Sequence, residues 1–149
     1  MLRRSRSATR SFNLLFCAIA SATVMTACGR TLGSMVNETM DGCIAERNPV
    51  FKSGAGATAL NTPLPKTVSD LAKRIAYKRA LDAFEQYAET AADQVTLVCA
   101  LELASYYKHG DVAVMIWKYI KHPDAGVSVN AKRLLGTQDP LPVDRFPVE

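Results

Sequence analysis

"ADQVTLVCALELASYYK", residues 92–108, is the stretch on which the fold turns. Wound at about 100° per residue, it places Val95, Leu97, Val98, Cys99, Ala100, Leu101, Leu103, Ala104, Tyr106 and Tyr107 on most sides of a helix. A helix apolar nearly all round needs a neighbour on every side to keep it from water, so it is a buried one. The stretch therefore predicts the central helix of an all-α domain. The flanking sequence should supply the helices that surround it.

Upstream, residues 67–89 follow a one-faced pattern. Ala72, Ala76, Tyr77, Ala80, Leu81, Ala83, Phe84, Tyr87 and Ala88 share one arc, and Arg74, Lys78, Arg79, Asp82, Glu85, Gln86 and Glu89 the other. This predicts one long amphipathic helix capped by the side chains of 67–70, with Ile75 and Lys73 as exceptions to the pattern. Before it, Val36, Met40, Cys43 and Ile44 predict a helix over 34–47, ended by Asn48-Pro49. "SGAGATALNTPLP", 53–65, is rich in small residues and proline and is expected, with residue 66, as a flexible exposed connector.

Downstream, Gly110 should stop the central helix and Asp111 should cap "VAVMIWKYI", 112–120. Its residues favour strands, but no partner strand stands elsewhere, so a helix is expected. Pro123 closes it, a short helix follows over 127–135 ahead of Gly136, and 137–149 is expected as a Pro-rich extended tail. The whole is a small irregular bundle of about five helices, arranged as helical hairpins within a domain of 34–136. Paired helices of this kind resemble the units of tetratricopeptide and Sel1-like repeats. Residues 84–101 overlay 117–134 at a shift of 33, aromatic on aromatic and leucine on leucine, and the resemblance is one of architecture.

The amino end reads differently. Arg3, Arg4, Arg6 and Arg10 precede an apolar run from Phe12 to Ala20, the layout of an export signal, and polar residues interrupt the run before it could span a membrane. Met25, Thr26 and Ala27 ahead of Cys28 resemble the lipobox of bacterial lipoproteins. The resemblance implies cleavage after residue 27, acylation of Cys28, palmitate included, and a lipidated tether over 28–33. An ordinary signal peptide or a retained anchor are the alternatives. By the sorting rule of enteric bacteria, Gly29 after the cysteine implies the outer membrane, facing the periplasm.

Cys17 would leave with the signal and Cys28 would carry lipid, so Cys43 and Cys99 remain. Two exported thiols predict one disulfide, two buried free thiols being the alternative. Charge follows the same division. Four of the 18 basic residues lie in the leader, leaving 14 against 14 acids in the mature chain. A neutral domain has no electrostatic footprint for nucleic acid. A local excess of three positive charges over 108–133 reads as solvated surface.

Chemistry is sparse. His109 and His122 stand at helix ends and are accounted for there, and no third ligand completes a metal site with them. Glu85 with Glu89 lies on the solvated face. "SGAGA" has neither the strand nor the lysine of a phosphate loop. Glu102, a carboxylate on an otherwise apolar helix, needs a rim position or a partner, and is the one candidate acid. No cofactor and no metal are expected, and the protein is read as a non-enzyme. The reading is a lipid-anchored periplasmic interaction module that binds a protein of the envelope. An immunity or inhibitor protein against a periplasmic toxin or hydrolase is the alternative, and a cell-wall-acting enzyme using Glu102 ranks last. Trp117, Tyr119, Lys118 and Lys121 are the expected partner-binding residues, because aromatic and cationic side chains dominate hot spots.

Overall fold

The computed structural model describes residues 31–54 and 60–138. The leader with Cys28, and the tail beyond Gln138, lie outside the described residues. Those described form helices α1 (Leu32–Lys52), α2 (Lys66–Lys73), α3 (Tyr77–Thr90), α4 (Gln94–Ala104), α5 (Gly110–Trp117) and α6 (Ala125–Leu135), with no strand among them. The all-α expectation holds.

Helix α4 is the centre. It packs against α1, α3, α5 and α6, and every residue from Leu97 to Ala104 is buried, Glu102 included. Asp93 starts it: the carboxylate accepts the Thr96 N–H at 2.9 Å and the Thr96 hydroxyl at 2.7 Å, meeting one of the orphan donors of the first turn. Asp124 does the same for α6, accepting the Val127 N–H at 3.0 Å and Gln94 Nε2 at 2.7 Å, so one side chain ties the starts of α4 and α6. Phe84 from α3, Met40 from α1, Ile116 from α5 and Val127 from α6 are buried in the same cluster. Burying a side chain of that size stabilises by about 1.5–3 kcal/mol.

The long helix expected over 67–89 is two helices, α2 and α3. The chain breaks at Arg74–Ala76, where Ala76 turns extended (φ −59°, ψ 130°) and Ile75 is buried. Ile75 explains the break, because a continuous helix would carry it on the polar face. Tyr107 reaches the carbonyls at the break: its hydroxyl donates to Ala72 O, which also accepts the Ile75 N–H at 3.0 Å, and lies 3.1 Å from Ile75 O. Nor do the side chains of 67–70 cap α2: Pro65 precedes it, and the Ser69 hydroxyl donates to Lys66 O instead.

Helix α1 does not end at Asn48-Pro49. It passes through Pro49 to Lys52 and stops where Gly54 takes a positive φ of 74°. Proline removes one hydrogen bond, to Ala45 O, and Ala45 is exposed, so water can take that place. The connector after it is less exposed than expected. Asn61, Thr62 and Pro63 face solvent, but Leu60 and Leu64 are buried in the core. Gly42 lets α1 and α2 approach, since a Cβ there would lie 3.0 Å from Val68 Cγ2.

Gly110 does not end α4 but begins α5, and the cap is His109, whose Nδ1 accepts the Asp111 N–H at 3.3 Å. The hairpin α3–α4 is followed by the hairpin α5–α6. Their first helices begin 33 residues apart and their second helices 31 apart, so the overlay shift of 33 holds for only one helix of each pair.

Candidate functional site

Two links join α1 to α4 on one face. A disulfide connects Cys43 to Cys99 with a Cα–Cα distance of 5.8 Å, both residues buried. One turn further along each helix, Arg47 meets Glu102. Arg47 Nε donates to Glu102 Oε2 at 2.9 Å and Nη2 donates to Oε1, a bidentate pair between residues 3% and 5% exposed. Arg47 Nη2 also donates to Thr62 O at 2.6 Å, drawing the 60–64 segment onto the same face. Glu102 is thus the partnered kind of buried carboxylate, with both oxygens held.

Against that pair lies a cavity of about 250 Å³ between the 60–63 segment, the carboxyl end of α4 and α6. Glu102, Ser105, Tyr106, Lys108, Arg133 and Thr137 are among its polar lining, with Asn61 and Thr62, and Leu60, Pro63 and Leu134 are its apolar residues. Arg133 Nη2 donates to Asn130 Oδ1 at 2.7 Å, while its Nε is shielded from solvent and has no partner. Burial lowers the Arg133 guanidinium below its ordinary pKa, against the raising influence of Glu102. Burial likewise lowers Lys108, whose Nζ donates to Thr137 O at 3.0 Å. It raises the Tyr106 phenol, and the charge of Glu102 raises it further.

The residues expected to bind a partner sit elsewhere, at the carboxyl end of α5 and the turn after it. Trp117 and Tyr119 are half-buried, and Lys118 and Lys121 exposed. Lys118 Nζ donates to Glu85 Oε1 at 2.6 Å and lies 4.0 Å from Glu89 Oε1, which stiffens the seam between α3 and α5 and holds the lysine above its ordinary pKa. The basic excess over 108–133 is therefore divided: Lys108 and Arg133 share the cavity, while Lys118, at the end of α5, pairs with Glu85 of α3. A third surface is an apolar groove of about 320 Å³ between the start of α1 and α3, lined by Leu32, Val36, Ala83 and Tyr87 among others.

Both histidines serve helix starts rather than ends. His109 caps α5, with Tyr77 Oη 2.7 Å from its Nδ1 and the two rings 4.3 Å apart, and His122 Nδ1 accepts the Asp124 N–H at 3.1 Å. Among the described residues no group of three His, Cys, Asp or Glu side chains is placed to hold a metal ion, and no helix is long and apolar enough to cross a membrane. Sequence reasoning singled out Glu102, with the Tyr106 hydroxyl near it, but missed Arg47 and Arg133 as its neighbours. The available signal was Glu102 itself, since a carboxylate on a buried helix requires a cation from another element. No protein-family model, no curated protein and no solved structure matches the chain.

Proposed function

We propose that the chain is an exported bacterial lipoprotein, held by acylated Cys28 at the outer membrane and facing the periplasm, whose helical domain docks a protein of the cell envelope. The observation that carries this reading is the Cys43–Cys99 bond at the centre of the core. Disulfides of this structural kind persist in oxidising compartments, which favours an exported chain and so the signal-like leader with its lipobox resemblance. Stacked helical hairpins of a repeat-like kind suit a docking role, because their outer faces leave grooves and ledges. The half-buried Trp117 and Tyr119, framed by Lys118 and Lys121, form the ledge we assign to the partner.

Two measurements test the reading. Mass spectrometry of the mature amino end should find an acylated Cys28, and Cys28→Ser should release the protein from the membrane fraction. A photo-crosslinking residue at Tyr119, in intact cells, should capture one envelope protein. An unmodified Met1 in the cytosolic fraction would overturn the export reading, and the absence of any specific crosslink the docking one. Should the captured protein be a toxin or hydrolase whose activity the chain blocks, the role is immunity rather than scaffolding.

A further inference from the structure

We infer that the cavity beside the Arg47–Glu102 pair is a binding site for a small organic carboxylate, held by Arg133, Lys108 and Tyr106. The argument begins with charge. The one acid in the lining, Glu102, has both oxygens on Arg47. Among the described residues, Arg133 and Lys108 therefore bring positive charge that no carboxylate within 4 Å answers; their hydrogen bonds go to the neutral Asn130 and Thr137. The buried Arg133 Nε has no hydrogen-bond partner among the described residues, and the half-buried Tyr106 lines the same cavity. A guanidinium with a donor to spare, an ammonium and a phenol, around one opening, match an anion.

Size and the opposite wall narrow the ligand class. The cavity, about 250 Å³, is below the roughly 300–1,000 Å³ typical of sites for larger ligands, so the ligand is compact. Pro63, exposed beside the buried Leu60 and Leu134, offers an apolar ledge to which inorganic phosphate has nothing to present. A short branched alkyl carboxylate fills both halves: its head on Arg133 and Tyr106, its tail on Pro63. The site is independent of how the chain is anchored.

The test is titration of the isotope-labelled full chain in detergent with isovalerate, with acetate and with inorganic phosphate, followed by NMR. Expected are saturable shifts with isovalerate at millimolar concentration, centred on 60–63, 105–108 and 133–137, and weaker binding of acetate and phosphate. Arg133→Gln should weaken isovalerate by roughly tenfold, the scale of one hydrogen bond to a charged group. Tyr106→Phe, which keeps the ring and the fold, should weaken it severalfold. Absence of saturable binding overturns the proposal, as does isovalerate binding unchanged in Tyr106→Phe and in the surface-compatible Lys108→Gln. Phosphate bound as tightly as isovalerate overturns the assignment of the ligand class.

Discussion

Removing one half of the Arg47–Glu102 pair should cost far more than removing both halves. Arg47→Met strips both oxygens of a carboxylate 5% exposed of their donors, and an uncompensated buried charge of this kind costs about 3–5 kcal/mol. That is a large share of the roughly 5–15 kcal/mol that holds a domain together. Glu102→Leu strands the guanidinium instead and should cost a similar amount. The double variant removes both charges and fills the site with apolar side chains of like volume, an exchange that is close to neutral or stabilises by about 1–4 kcal/mol. The loss of the bond to Thr62 O adds little, because Thr62 is exposed and its carbonyl can turn to water. Urea unfolding followed by circular dichroism, under non-reducing conditions near neutral pH, gives the three values and hence the coupling, which should reach about 3 kcal/mol or more. Single variants costing less than about 1 kcal/mol each, or costs that simply add in the double, would refute the account.

Replacing Cys43 and Cys99 by serine should lower stability by about 4 kcal/mol, the chain-entropy value for a separation of 56 residues, read from the urea midpoint. Because both cysteines are fully buried, reduction of the native protein by dithiothreitol should proceed no faster than unfolding. Tyr107→Phe should cost about 1–2 kcal/mol by uncapping α2, and hydrogen exchange should rise at 72–77. Burial pushes the Tyr107 phenol up to about 12 from 10.0, so the folded state keeps a proton that the unfolded chain gives up. That stabilisation is complete below the unfolded value and is lost as pH rises from about 10 toward 12, a loss that alkaline melting curves of Tyr107→Phe should lack. Asp93→Ala should cost about 1 kcal/mol as a lost helix cap. The bonds from the Thr96 side chain and N–H hold the Asp93 carboxyl below its ordinary pKa, so the cap's contribution is present above the unfolded value and fades as pH falls below it, measurable as a smaller acid dependence in Asp93→Ala.

How far the fold was legible depended on the distance over which each residue found its partner. Helix α4 was readable because an all-round apolar helix has only one place in a domain. The break between α2 and α3 was hidden because Ile75 finds its place only in the folded core, and Tyr107, whose hydroxyl meets the carbonyls there, stands more than thirty residues away. The one local trace was Ile75 standing off the apolar arc. Pro49 misled for the opposite reason: the rule that proline ends helices is local, and here α1 gives up one hydrogen bond, at the exposed Ala45, and continues to Lys52. The candidate cavity was not readable at all. Its walls come from the connector, α4 and α6, and only folding brings Arg133 beside Glu102.

The paired fastening of α1 to α4 has a mechanical side. A load applied to the chain ahead of Leu32 enters the domain along α1, and Leu32 through Gly42 can peel away turn by turn. At Cys43 the strain passes covalently into the buried middle of the molecule, so Arg47 and everything after it are spared until the whole domain gives way. The protein can be tugged by its front end without being unravelled from it.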